Sequence, residues 1–272
     1  MDRRLLAAPL VGLILLTACG GDDSSSSKSG LPRLTIDVSD PTAGHFEYLA
    51  PERVQAGVVE IRLTNTGDEV HKAQLWRLGG GHSVSEARKA KRPLPDWLRT
   101  AGGVALTEPK QTGVTVQRLA PGNYYVAGAG NERGKVATFR VMGPDRSAKL
   151  PPAQAVLSAD EYQFKFPSLE AGRRRVLFRN EGSEPHHAYF ARMVRGATLD
   201  EVRRYLSRGV EDDPPVHFDR GVVETPVIEG GDRQVTELDL ARGRYALMCF
   251  VSDRAGGPSH IEKGMISEVR VK

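Results

Sequence analysis

Cysteine is nearly absent: the 272 residues contain two, Cys19 and Cys249. That count excludes a disulfide-stapled scaffold, which needs several pairs to stand in for a core. Long hydrophobic runs are missing as well. Leu5 to Leu16 is an apolar stretch of about a dozen residues, short of the ~20 that span a bilayer, and no later stretch is long or apolar enough. No single sign of charge dominates. The 38 Lys and Arg face 34 Asp and Glu, for a net charge of +4, and the signs are interspersed. This pattern reads as a solvated surface and excludes a nucleic-acid-binding face. No Ser/His/Asp grouping and no glycosidase-like acid pair stands out either.

What is there begins at the N-terminus. Arg3 and Arg4 precede the apolar stretch, which ends in Leu16-Thr17-Ala18-Cys19. This order resembles the lipobox of bacterial lipoproteins, a branched apolar residue and two small ones before Cys. The resemblance implies that residues 1–18 are a signal peptide and that Cys19 is acylated. It places the mature chain in the cell envelope, extracytoplasmic and lipid-anchored to the membrane. Residues 19–30 are Gly-, Ser- and Asp-rich and read as a flexible tether. About 240 residues remain, enough for two domains. With Cys19 committed to lipid, Cys249 has no disulfide partner. It is then an inert core thiol, an oxidisable thiol or a metal ligand.

The chain repeats itself. Asn65 to His71 (NTGDEVH) lines up with Asn180 to His186 (NEGSEPH), and Ser83-x-x-Glu86 with Thr198-x-x-Glu201, at one constant offset. The second pair are capping boxes, so each copy is expected to carry a helix, Ser83 to about Ala90 and Thr198 to about Arg208. Pro121-Gly-Asn-Tyr124 matches Arg242-Gly-Arg-Tyr245, and Glu132-Arg-Gly134 matches Glu262-Lys-Gly264. Between these markers lie short strand-like runs bounded by turn residues: Ile61–Leu63, Val114–Val116, Tyr162–Phe166, Val176–Phe178, Val235–Leu240 and Tyr245–Val251. The expected fold is all-β, two tandem antiparallel β-sandwiches of Greek-key type, each with one inserted short helix. The expected domains are 31–142 and 153–272, joined by a Pro-rich linker at 143–152.

The second copy holds an ordered set of soft and borderline ligands. His186 follows Pro185, Cys249 follows Gly243-Arg-Tyr245, and His260 and Met265 come after it. Two imidazoles, a thiolate and a weak thioether are the donors of a blue-copper site. In this order they resemble the cupredoxins, the family of plastocyanin. The resemblance implies one copper held by His186, Cys249, His260 and Met265, with electron transfer as the function. It departs from the family in one respect: ten residues (FVSDRAGGPS) separate Cys249 from His260. His187 is expected to point to the opposite face of its strand, and His45, His82, His187 and His217 to lie on the surface or in loops. In the first copy only His71 persists. Gly128 aligns with Cys249 and Lys135 with Met265, so the first domain is expected to be metal-free.

Multicopper oxidases need His-x-His pairs, and copper nitrite reductases a His beside the Cys. This chain has neither, since Met248 and Phe250 flank Cys249. An enzyme is therefore not expected. Two classes of function stay open: copper binding for electron transfer (or storage and delivery) with a redox protein as partner, and a metal-free envelope lipoprotein that binds a partner. The reach of His260 toward Cys249 separates them.

Overall fold

The computed structural model describes residues 30–128, 133–146, 148–208 and 213–272. The expected signal peptide, Cys19 and the tether up to residue 29 lie outside them. The first half runs β1 (Arg33–Thr42), β2 (His45–Leu49), β3 (Arg53–Asn65), β4 (His71–Leu78), α1 (Val84–Lys89), β5 (Leu98–Thr107), β6 (Thr112–Leu119), β7 (Gly122–Ala127), β8 (Arg133–Lys135) and β9 (Ala137–Arg146). The second runs β10 (Ala155–Asp160), β11 (Gln163–Lys165), β12 (Gly172–Asn180), β13 (Tyr189–Met193), α2 (Leu199–Arg208), β14 (Val216–His217), β15 (Val223–Glu224), β16 (Arg233–Leu240), β17 (Gly243–Met248) and β18 (Ile266–Val271). The expected strands and both inserted helices are present. The architecture is mostly β, with the strands arranged in two sheets. Among the described residues no helix is long and apolar enough to cross a membrane.

The strands alternate as half-buried strands do: β12 reads Val176 in, Leu177 partly out, Phe178 in. In the second half, β10, β11, β12 and β16 form one layer and β13, β14, β15, β17 and β18 the other. Leu157, Val176, Phe178, Phe190, Leu238, Tyr245 and Leu247 fill the space between them. In the first half a corresponding cluster joins Leu34, Ile36, Ile61, Leu75, Tyr124 and Val126. Every buried apolar cluster draws its residues from one side of 143–152 only. Burial of these side chains is the main drive to fold, at about 25 cal/mol per Å² of apolar surface.

Four features differ from expectation. The layers are not purely antiparallel, because β1 with β3, β3 with β9 and β10 with β12 pair in parallel. In β3 the first residues pair with β9 and the last with β1, and a bulge at Gly57, whose φ is +114°, marks the change. The expected linker is partly strand, since β9 continues to Arg146. The strand before Cys249 stops at Met248, three residues short of Val251. Finally, β16 pairs with β6 through Gln234, Val235 and Thr236, so one continuous sheet crosses from half to half.

Several matched positions of the two halves make matched hydrogen bonds. Asn65 Nδ2 donates to the Glu69 carbonyl and Asn180 Nδ2 to that of Glu184, both at 2.7 Å. The Tyr124 and Tyr245 hydroxyls donate to the carbonyls of Ala120 and Ala241, four residues back. Both capping boxes form, Ser83 with Glu86 and Thr198 with Glu201.

Candidate metal centre

The three strong donors arrive from three places. Asn180 pins the turn before Pro185, and His186 then bridges to Ile228 through its backbone, which drives its ring inward. Cys249 is the first residue past β17. His260 returns from the ten-residue loop, where Ser252 pairs with Ser259 and the His260 N–H donates to the Val251 carbonyl at 2.8 Å. Gly256 and Gly257 take φ of +96° and +97°, values that an L side chain resists, and so let the loop reverse.

The loop therefore brings the donors together. Cys249 Sγ lies 3.5 Å from His260 Nδ1 and 3.8 Å from His186 Nδ1, and the two Nδ1 atoms are 2.9 Å apart. All three residues are fully buried. A point equidistant from these atoms lies about 2.0 Å from each, close to the ~2.0–2.3 Å at which imidazole nitrogen and thiolate bind a transition metal. Met265 is also fully buried. Its N–H donates to the His260 carbonyl at 2.8 Å and its carbonyl accepts from the Cys249 N–H at 3.3 Å, so its backbone ties the two donors.

Proton positions make the same point. His260 Nε2 lies 2.9 Å from Asp253 Oδ1, so Nε2 carries the hydrogen and Nδ1 presents a lone pair. That lone pair faces His186 Nδ1, while His186 Nε2 is buried without a partner. If His186 keeps its hydrogen on Nε2, two lone pairs meet at 2.9 Å. If it keeps it on Nδ1, Nε2 is a bare buried acceptor. A cation between the two Nδ1 atoms relieves the first arrangement. Burial, reinforced by His260 and His187 nearby, holds His186 down at about 3, and burial also lowers His260 against the pull of Asp253. Burial pushes the Cys249 thiol up to about 12, although the amides of His187 and Val251 pull the other way. Two neutral imidazoles and a thiol whose proton a cation would displace to solvent suit a soft transition metal such as copper.

His187 is buried, not superficial as the sequence suggested. Its Nδ1 lies 2.9 Å from Glu224, and its Nε2 accepts the Phe250 N–H at 2.9 Å, so both nitrogens are taken. Burial would raise Glu224, but His187 and the Lys72 ammonium at 2.5 Å outweigh it and hold the carboxyl at about 2. Residues of this surround carried no sequence signal. Asp253 is the main one: besides His260 it accepts from Tyr162 and from Lys263, which hold its carboxyl below the usual range against the opposing effect of burial.

In the first half, His71 occupies the position of His186 but lies 2.6 Å from Asp40. Gly128 follows β7 where Cys249 follows β17. Among the described residues, His186, Cys249 and His260 are the one group of three or more such side chains placed to share a metal ion.

No protein-family model matches this chain, and no curated protein matches it. Among solved structures, it is similar to auracyanin A, a "blue" copper protein of Chloroflexus aurantiacus, with 18% identity over 43% of this chain and 96% of that one, TM-score 0.29. Auracyanin of Roseiflexus castenholzii matches at 18% identity over 43% and 94%, TM-score 0.28. The copper nitrite reductase of Nitrosomonas europaea matches at 14% identity over 88% and 93%, TM-score 0.24. With scores this low, the functional reading rests on the donor geometry alone.

Proposed function

We propose that the chain binds one copper ion through His186, Cys249 and His260, with Met265 as a weak fourth ligand, and works as an electron carrier. The observation that carries this reading is the buried triangle of one thiol and two Nδ1 atoms whose centre lies at metal–ligand distance from all three. When bound, copper supplies a one-electron couple, Cu(II)/Cu(I). The chain's part is to hold and to insulate. Cys249 gives up its thiol proton, Asp253 keeps the His260 hydrogen on Nε2, and the packed sandwich excludes water. The donors are fully buried, which would shield a bound ion from solvent. That Met248 and Phe250, not His, flank Cys249, and that the sequence holds no His-x-His pair, supports a carrier over an enzyme.

The lipobox-like Leu16–Cys19 supports an extracytoplasmic chain anchored through Cys19, with a redox protein of the envelope as its partner. The testing experiment is the visible absorption spectrum of the protein after one equivalent of Cu(II). An intense thiolate-to-copper charge-transfer band is the expected result. A colourless protein that binds no copper would return Cys249 to a core-packing role.

A further inference from the structure

The first half lacks the donor set, yet it grips the loop that delivers His260. The Leu94 N–H donates to the Arg254 carbonyl at 2.8 Å. The Arg254 guanidinium donates to the carbonyls of Pro95 and Leu98 at 2.9 and 3.0 Å. It also donates to Glu229 at 2.8 Å, and the same carboxylate oxygen accepts from the Thr100 N–H and hydroxyl. Arg92 donates to the Asp253 carbonyl. The Arg254 N–H donates to Glu184, two residues before His186.

Asp253 and Arg254 thus face opposite ways. The Asp253 carboxylate holds His260 Nε2, while its carbonyl, the Arg254 carbonyl and one end of the Arg254 guanidinium are bonded to residues 92–98 of the other half. A ten-residue excursion with two glycines in the left-handed region has many conformations open to it, and ordering each residue costs entropy. Hydrogen bonds from a guanidinium to carbonyls are among the stronger ones available to offset that cost.

We infer that residues 92–98 of the first half are a brace for the Cys249–His260 loop, and that Arg92 and Arg254 are positioning residues which, through Asp253, aim His260 at the metal. The spectroscopic consequence rests on the copper reading above. The brace itself belongs to the metal-free protein.

The test uses the full chain with Arg92→Ala, an exposed residue whose loss leaves the core intact, and Arg254→Lys, which keeps a cation beside Glu229. In the metal-free protein, amide hydrogen exchange is measured across Val251–Ser259. Each variant is expected to exchange there about tenfold faster or more, the scale of one lost charged hydrogen bond, with β10 and β12 unchanged. Exchange at the wild-type rate in both variants overturns the brace. Cu(II) is then added, and the charge-transfer band, the electron paramagnetic resonance spectrum and the rate of copper loss to a chelator are compared with wild type. Faster loss, with an altered spectrum, is expected. Faster exchange with unchanged copper loss and spectrum would overturn the aiming of His260. A wild-type protein with no band would sink the copper reading alone, because the exchange result stands without metal.

Discussion

Replacing Asp253 by Asn tests how the centre is built, at one atom. The carboxylate accepts on both sides: Oδ1 from His260 Nε2 at 2.9 Å, and Oδ2 from the Lys263 ammonium, with the Tyr162 hydroxyl 3.2 and 3.3 Å from the two oxygens. An amide has one oxygen and one NH₂ group. If the oxygen turns to Lys263, the NH₂ faces His260, whose Nε2–H then meets another donor. The imidazole responds by moving its hydrogen to Nδ1, the atom the metal needs. If the oxygen turns to His260, the NH₂ meets the ammonium. Either way one close interaction becomes repulsive. Changes to such metal-orienting partners cost about 10–100-fold in metal affinity, or about 1.4–2.7 kcal/mol. The assay is Cu(II) binding by competition with a chelator of known strength, with metal-free thermal unfolding as a control for folding. A variant that folds and binds copper within about twofold of wild type would refute the argument that Asp253 sets the tautomer of His260.

Other outcomes follow from the same geometry. Cys249→Ser should abolish the charge-transfer band, while Met265→Leu should keep the band and raise the reduction potential, as absorption and voltammetry would show. Thr198→Ala removes the acceptor for the Glu201 N–H at the start of α2 and should cost about 1 kcal/mol in denaturant unfolding. Glu60, between Arg33 and Arg62 at 2.9 and 2.8 Å, is pushed up by burial, but the two guanidinium groups win and its carboxyl lies below its ordinary value of 4.5. A lowered folded value means that its stabilisation is present above pH 4.5 and is lost as pH falls through the folded value. Glu60→Gln should therefore lower stability by about 1 kcal/mol at pH 7 and by much less in acid, read from unfolding curves at the two pH values.

Most of the local plan was legible in residue order. The two capping boxes, Ser83 with Glu86 and Thr198 with Glu201, are contacts between residues three apart, and their helices form where the motif places them. Asn180 to His186 and Gly243 to Met248 are likewise short segments whose turn and strand geometry follow from their own side chains. Burial of His187 escaped that reasoning, because its partners Glu224 and Phe250 are 37 and 63 residues away.

What residue order determined by itself, then, was the set of matched segments and the β-rich pattern, because each depends on neighbours along the chain; the candidate donors His186, Cys249, His260 and Met265 were named from an order that resembles the cupredoxins. Tertiary structure decided whether those donors meet. His186 and His260 are 74 residues apart, and the loop that closes this distance is held by Asp253 and by contacts from Arg254 to Pro95 and Leu98, 159 and 156 residues away. Contacts of that separation leave no periodic or local mark in a sequence. They exist only once the two halves of the chain have come to rest against each other.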